Sequence, residues 1–579
     1  MFVNGSRKLL VNSLLHLNRM KGVGGGSDLV EHQMLDLKTY VDEVLRGKII
    51  PLTTEKRVYL AIQSAIDRQN DKSLYGMKPI LNELIDRYFR PAAKGYDVRK
   101  RLLVLIGPPG SGKSTLVQFI KDALSQYSHT EKGAVYRIKD CPLHENPLLA
   151  LPHSIRQRIK KATGYHIEGE LSSLNQYRLK HEWNEDWRNI PVERFYISES
   201  KRQGIGTFAP GDPHLQEVSE LIGEMDYSTI TTYGTPAHPK AYQYDGELQA
   251  GNQGIVELQE VFKVSAKLLF PLLSVAEEQM YKIPRQAAIH SDVVLIAHSN
   301  PEDLKKIITT TENKPLLSRM IIQKVPYNLD LTEEIHLYAS KLHQEDIERF
   351  QPFALDTLAA TAIYTRVRSS EKYPLTKMEK VRLYARKEEP YESLREEFDD
   401  EGMNGLDPRM IFHVLSILAA SHLQTITAQD LLHTLQQEIN QDIRLGTTEK
   451  ERYRTAIRQG EKYFEERIKQ FFIEQFAKLE CERIHETIGS VIQGNMNDVD
   501  HQFKEFRENV RELQIGRIDF EQLPKEMKEK IVQASVKQFL QENGNILDWI
   551  ERKLFPQLPK KYWEIKSNLE GIIEQLRYN

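Results

Sequence analysis

A chain of 579 residues exceeds what one hydrophobic core supports, so about two to four domains are expected. Hydrophobic residues at 40% and charged residues at 28% are the mix of a soluble globular protein, and a net charge of −3 gives no global electrostatic pull toward nucleic acid. Two cysteines, Cys141 and Cys481, cannot build a disulfide framework, and no apolar run approaches the roughly 18–20 residues of a membrane span, so a cytoplasmic protein is expected.

Residues 1–27 read as a flexible segment ending in Gly22-Val23-Gly24-Gly25-Gly26-Ser27. Within it Lys8 to Met20 resembles a signal peptide only weakly, because Asn12, Ser13, His16 and Asn18 interrupt its apolar part. Residues 28–72 form an expected helical region, with Leu29, Met34, Leu37 and Val41 near helical spacing. Leu84, Ile85, Tyr88 and Phe89 then predict an amphipathic helix. It leads into Arg101-Leu102-Leu103-Val104-Leu105-Ile106, an apolar run expected to be a strand buried on both faces.

The next residues are Gly107-Pro108-Pro109-Gly110-Ser111-Gly112-Lys113-Ser114-Thr115, which fit the phosphate-loop pattern G-x-x-x-x-G-K-[ST] at every fixed position. Leu116-Val117-Gln118-Phe119-Ile120 continues it at helical spacing, so the motif stands in its required strand–turn–helix context. Glycines let backbone N–H groups wrap a β-phosphate, and the helix N-terminus adds its positive dipole. Lys113 would reach the β- and γ-oxygens of ATP, and the Ser114 hydroxyl would ligate Mg²⁺.

Residues 128–250 form a long polar insertion in which 193–198 could be a strand. Two apolar strands follow, over 254–260 and 292–300, and 321–326 reads as another. Strands alternating with helical stretches predict a parallel α/β sheet, placed here in a nucleotide-binding core of 73–330. Beyond it the pattern is helical: 331–342, 355–367, 377–385, 408–422 and 428–440, taken together as a lid of 331–445. A charged helical C-terminal domain of 446–579 carries the stripe Phe464, Ile468, Phe472, Phe476 and Leu479, read as core.

An ATP site needs an acidic group at the end of a neighbouring strand to orient Mg²⁺ and activate the attacking group. Strand 254–260 ends in Gln259-Glu260 where Asp-Glu is usual, so Glu260 fits the activating base and the metal-orienting Asp is missing. Glu257, two residues earlier on the same strand face, is either a substitute Mg²⁺ ligand or a salt-bridged structural carboxylate, and the sequence leaves both open. Asn300 ends the next strand where it could touch the γ-phosphate. Arg319, just before strand 321–326, is where a trans-acting arginine finger would sit, and Arg409, behind Asp407-Pro408 at a helix start, could reach the nucleotide from the lid.

This order of parts resembles the AAA+ ATPases. Tyr75-Gly76-Met77, Tyr88-Phe89-Arg90-Pro91-Ala92-Ala93, Cys141-Pro142-Leu143-His144-Glu145, Asp245-Gly246-Glu247-Leu248, Gly254-Ile255-Val256-Glu257-Leu258-Gln259-Glu260 and Asp400-Glu401-Gly402-Met403-Asn404-Gly405 are more closely similar to the PrkA family of bacterial serine protein kinases. The absent acidic-strand Asp is shared with that family. The resemblance implies an AAA+ module, a C-terminal region labelled kinase, ATP as cofactor, a protein substrate and roles in stress and developmental responses. It also implies assembly into homo-oligomeric rings, a hexamer among them.

No His-Arg-Asp or Asp-Phe-Gly of a eukaryotic-type kinase occurs, and Gly204-Ile205-Gly206-Thr207-Phe208 lacks that kinase loop's third glycine. Any kinase activity is therefore expected from the phosphate-loop site, with a Lon-like protease or remodelling ring and a nucleotide-controlled scaffold as alternatives. Ser219, Ser228 and Lys240 are the residues available for a Ser–Lys pair, and capping or surface roles are expected for them. Cys141 with His144 offers two ligands, too few for structural zinc, and no basic stripe interleaved with aromatics suggests nucleic acid.

Overall fold

The computed structural model describes residues 34–68, 74–209, 218–263, 266–309, 314–386 and 391–467. Five core strands, β1 (Leu102–Ile106), β2 (Ile205–Phe208), β3 (Ile255–Leu258), β4 (Val294–Ser299) and β5 (Met320–Lys324), form one parallel sheet. Its order is β5-β1-β4-β3-β2. Every residue of β1, β3 and β4 is buried, which is why these strands read as largely apolar runs, interrupted in β3 by Glu257 and in β4 by His298 and Ser299.

The strand period of two sends alternate side chains to opposite faces. Leu103, Leu105, Ile255, Val294 and Ile296 pack with helices α1 (Thr54–Asp67) and α2 (Lys113–Ser128). Val104, Ile106, Val256, Leu258, Leu295 and Ala297 face the second core, built largely by the insertion. Register pairs Ile106 with both Ser299 and Lys324, and Leu258 with Ala297, so the carboxyl ends of the central strands line up along one edge.

The edge strand β2 was not foreseen. Its run carries Gly206 and Thr207, which dilute the apolar signal, and Gly206 is small because a β-carbon there would lie 2.2 Å from the Glu247 carbonyl oxygen. The strand expected over 193–198 spans Pro191–Phe195 and belongs to a separate antiparallel sheet with Met34–Asp36 and Val135–Ile138. The N-terminal helical region divides into Leu37–Leu45 and α1, separated by Gly47 in the left-handed region and Pro51. The amphipathic helix before β1 is broken into Lys78–Leu84, a π-turn at Ile85–Phe89 and Arg90–Ala93; Pro91, with no N–H to give, lies just beyond the π-turn.

Past β5, helices including α3 (Ala354–Arg366), α4 (Pro408–Ala419) and α5 (Ala428–Gln441) enclose a third core centred on Leu358, Ile363, Val414 and Leu431. Asp407 caps α4 by accepting from the Arg409 N–H at 2.8 Å, with Pro408 in the first turn. Phe464 packs partly buried against this core, while Ile468, Phe472, Phe476, Leu479, Cys481 and the segment 1–27 lie outside the described residues. Among the described residues no helix is long and apolar enough to cross a membrane.

Candidate functional site

The phosphate loop leaves β1 at Ile106 and is tied to β4 by the Gly107 N–H, which donates to the Ser299 carbonyl at 3.3 Å. Gly110 (φ 74°) and Gly112 (φ 89°) are left-handed, a conformation that strains any residue with a β-carbon. Gly112 is also the N-cap of α2 and brings no side chain to the first-turn N–H groups, which leaves them for an anion. The Ser111 hydroxyl is buried without a hydrogen-bond partner, as is that of Ser299 beside it at the end of β4. Such orphaned groups beside a glycine cradle fit a phosphate ligand.

Lys113 Nζ donates to the carbonyls of Gly107 (2.7 Å) and Pro108 (2.9 Å). Burial, with Arg409 adding to it and Glu260 and Asp407 opposing, pushes its ammonium down to about 8. Those perturbers mark what converges on the loop: the end of β3 from one side and the start of α4 from the other. A β-carbon on Gly110 would lie 2.5 Å from Asp407 Oδ1, and one on Gly112 would lie 2.7 Å from Met77 Sδ. Tyr327 OH donates to the Pro109 carbonyl at 2.9 Å. The loop is thus gripped between Met77, Tyr327 and the Asp407-Pro408 turn, with Ser114 and Thr115 exposed at its mouth.

Glu260 follows β3 in the left-handed region (φ 47°), its carboxylate half exposed and paired with Lys263. Glu257 stands elsewhere. It is 2% exposed, with Oε2 2.7 Å from Lys121 Nζ and Oε1 3.0 Å from His298 Nε2. Burial pushes this carboxyl up, and the bonds from His298 and Lys121 outweigh burial and hold it below its ordinary value. Lys121 also reaches Glu199 Oε1 at 2.5 Å. Since Lys121 is eight residues past Lys113 in α2, this cluster lies about 12 Å along the helix from Lys113 at 1.5 Å per residue. That is the salt-bridged alternative for Glu257.

Asn300 sits beside the loop, but its amide is engaged with the helix Pro301–Thr309: Oδ1 accepts from the Asp303 N–H (2.8 Å) and Nδ2 donates to Asp303 Oδ2 (2.7 Å). Arg319 lies at the far end of the sheet. Its carbonyl accepts from Leu102 N–H, at the start of β1, and its Nε donates to Glu277 at 2.6 Å. Five residues of strand separate it from the loop, about 16 Å at 3.3 Å per residue, so it does not reach the phosphate loop of its own chain. Arg409 is exposed at the first turn of α4, facing the loop.

The side chains available for proteolysis or zinc have other partners. Ser228 Oγ donates to Asp226, the N-cap of Tyr227–Tyr233, and Lys240 pairs with Glu182 at 3.0 Å. Cys141 is buried, accepts from Asn175 Nδ2 at 3.0 Å, and burial pushes its thiol up to about 11. Among the described residues no group of three or more His, Cys, Asp or Glu could hold a metal. Sequence reasoning missed Tyr327, Lys121 and His298. Lys121 was traceable, because positions 113, 117 and 121 share a helix face; Tyr327 and His298 carry no local signal.

A parallel sheet of order 5-1-4-3-2, a phosphate loop after its inner strand β1 and a helical bundle closing over that loop define an AAA+ ATPase fold. The PrkA AAA domain matches residues 42–374, and the PrkA serine protein kinase C-terminal domain matches residues 378–541. The chain belongs to the PrkA family. It is 36% identical over 445 residues to the ATP-dependent protease PrkA of Bacillus subtilis (strain 168), covering 74% of this chain and 70% of that one. It is 28% identical over 469 residues to the serine/threonine kinase YeaG of Escherichia coli (strain K12), covering 78% and 68%. Among solved structures, NtrX from Brucella abortus in complex with ATP aligns at TM-score 0.25 and 13% identity over 60% of this chain and 57% of that one, a likeness too loose to carry weight.

Proposed function

We propose that this chain is an ATP-dependent phosphoryl-transfer enzyme whose phosphate-loop site moves the γ-phosphoryl group to a protein serine. One observation carries the reading. Glu260 from the end of β3, and Asp407 and Arg409 from the start of α4, converge on Lys113 in a loop whose buried Ser111 hydroxyl has no partner. Loop N–H groups and Lys113 hold the β- and γ-phosphates. Ser114, with Thr115 beside it, would hold Mg²⁺, which would neutralise charge on the phosphates. Glu260, half exposed and next to the loop, takes the proton from the attacking hydroxyl. Glu257 contributes by fixing β3 against α2 through Lys121.

Arg409 stabilises charge from the lid of 331–445. Arg319, about 16 Å from its own loop by the strand spacing, serves an adjacent copy in a homo-oligomeric ring. The bonding of Asn300 to Asp303 gives it a structural part, holding the end of β4 beside the loop.

The name of the 36%-identical relative favours a second reading, in which the same ATP turnover drives proteolysis. Radiolabelled ATP with casein separates the two. Label transferred to serine by the full-length protein, and lost in Lys113→Ala, supports the kinase; ATP-dependent peptide release without transferred label supports the protease; retention of nucleotide binding by Lys113→Ala defeats both.

A further inference from the structure

Arg366, the last residue of α3, is a fully buried charge in the helical bundle, and its partner Glu334, at 2.7 Å, is equally buried. A buried ion pair is commonly no more stabilising than apolar side chains of the same volume, so stability alone does not account for it. Its remaining contacts converge on the phosphate loop. Arg366 NH1 donates to the Asn328 carbonyl at 2.9 Å, and NH2 to the Leu406 carbonyl at 3.4 Å. The guanidinium lies 5.0 Å above the Tyr327 ring, and the Arg366 carbonyl accepts from Gly402 N–H at 3.1 Å.

Two of these contacts, with Tyr327 and with Leu406, lead directly to the site. Tyr327 OH holds the Pro109 carbonyl, and the Tyr327 N–H donates to the Gly402 carbonyl at 2.8 Å. Leu406 immediately precedes Asp407, which faces Gly110 and caps the helix bearing Arg409. The Leu406 N–H is itself fixed by Thr365 Oγ1 at 2.9 Å, one residue before Arg366. One planar fork therefore spans the chain entering the bundle at Tyr327-Asn328 and the chain returning to the loop at Leu406-Asp407. Only a guanidinium has the donors and rigid geometry for this, since a lysine ammonium is a single point.

We infer that Arg366 is a positioning residue for the nucleotide site, setting the helical bundle against the phosphate loop through Tyr327 and through the Leu406–Arg409 turn. The inference rests on the loop's being the ATP site. It differs from a stability role because its effect is to pass through Arg409 and Pro109, which the guanidinium does not touch.

The test uses full-length Tyr327→Phe, Arg366→Lys, Arg409→Ala and the doubles Arg366→Lys/Arg409→Ala and Tyr327→Phe/Arg409→Ala. Affinity for a fluorescent ATP analogue, ATP turnover and thermal melting are measured for each. Tyr327→Phe keeps the ring under Arg366 and removes only the bond to Pro109; a lost neutral hydrogen bond corresponds to about two- to tenfold weaker nucleotide binding with an unchanged melt. Arg366→Lys is expected to cut turnover more than affinity, and Arg409→Ala to cost less in its background than in the parent, because the arginine is already misplaced. Strict additivity, or parental affinity and turnover in both single variants, overturns the inference. Should Arg366→Lys fail to fold, the Tyr327→Phe cycle with Arg409→Ala decides by the same criterion. Nucleotide binding that survives Lys113→Ala would defeat the ATP-site reading itself, a separate outcome.

Discussion

Removing the ammonium from Lys121 is the sharpest test of what Glu257 does. In Lys121→Met the carboxylate, 3% exposed, keeps His298 at 3.0 Å and loses the lysine ammonium. Breaking one side of a buried ion pair costs about 3–5 kcal/mol, and the surviving bond to His298 recovers about 1 kcal/mol, leaving roughly 2–4 kcal/mol. For a domain of this size that is a fall in melting temperature of roughly 5–10 °C. The sign with pH follows from the shifts. Glu257 is held below its ordinary value in the parent, so its contribution is present above the unfolded carboxyl pKa and is lost as pH falls through the folded one. Without Lys121 burial is less opposed and the carboxyl rises from its parental value, so the destabilisation grows with pH and shrinks as pH falls. Differential scanning fluorimetry between pH 5 and 8 measures this. Lys121→Met/Glu257→Met, which removes both charges, should recover most of the loss while still binding nucleotide and Mg²⁺. A double variant that melts normally but no longer responds to Mg²⁺ would refute the structural reading and return Glu257 to the metal.

Other outcomes follow from the same geometry. Glu260→Gln should bind nucleotide with parental affinity and lose about 10²–10⁴-fold in turnover, measured by phosphate release, if Glu260 takes the proton. Arg319→Ala should spare binding and abolish turnover; mixing it with Lys113→Ala should restore partial activity, because one variant keeps the loop and the other the finger. With Lys113 at about 8, nucleotide affinity should fall about tenfold per unit once pH exceeds that value, and a titration of the fluorescent analogue flat from pH 7 to 9.5 would contradict the lysine's role. In a Cys481→Ser background Cys141, buried with its thiol near 11, should resist iodoacetamide at pH 8 until the protein is unfolded.

Whatever depends on short stretches of chain was readable from the sequence. The loop declares itself by glycines that only left-handed backbone demands, β1, β3 and β4 by apolar runs buried on both faces, and the start of α4 by Asp407-Pro408, which cap it locally. Contacts between distant segments were not readable. Strand β2 hides because pairing with β3, not its own composition, makes it a strand. Glu257 looked equally like a metal ligand and an ion-pair partner until α2 brought Lys121, 136 positions away, against it. Arg366 and Tyr327 carry no motif, since what matters is that Pro109, Asn328 and Leu406 meet around them. Local sequence determines which backbone shapes and charges exist; only the packing of helices on the sheet decides which charges neutralise one another and which are left facing the loop.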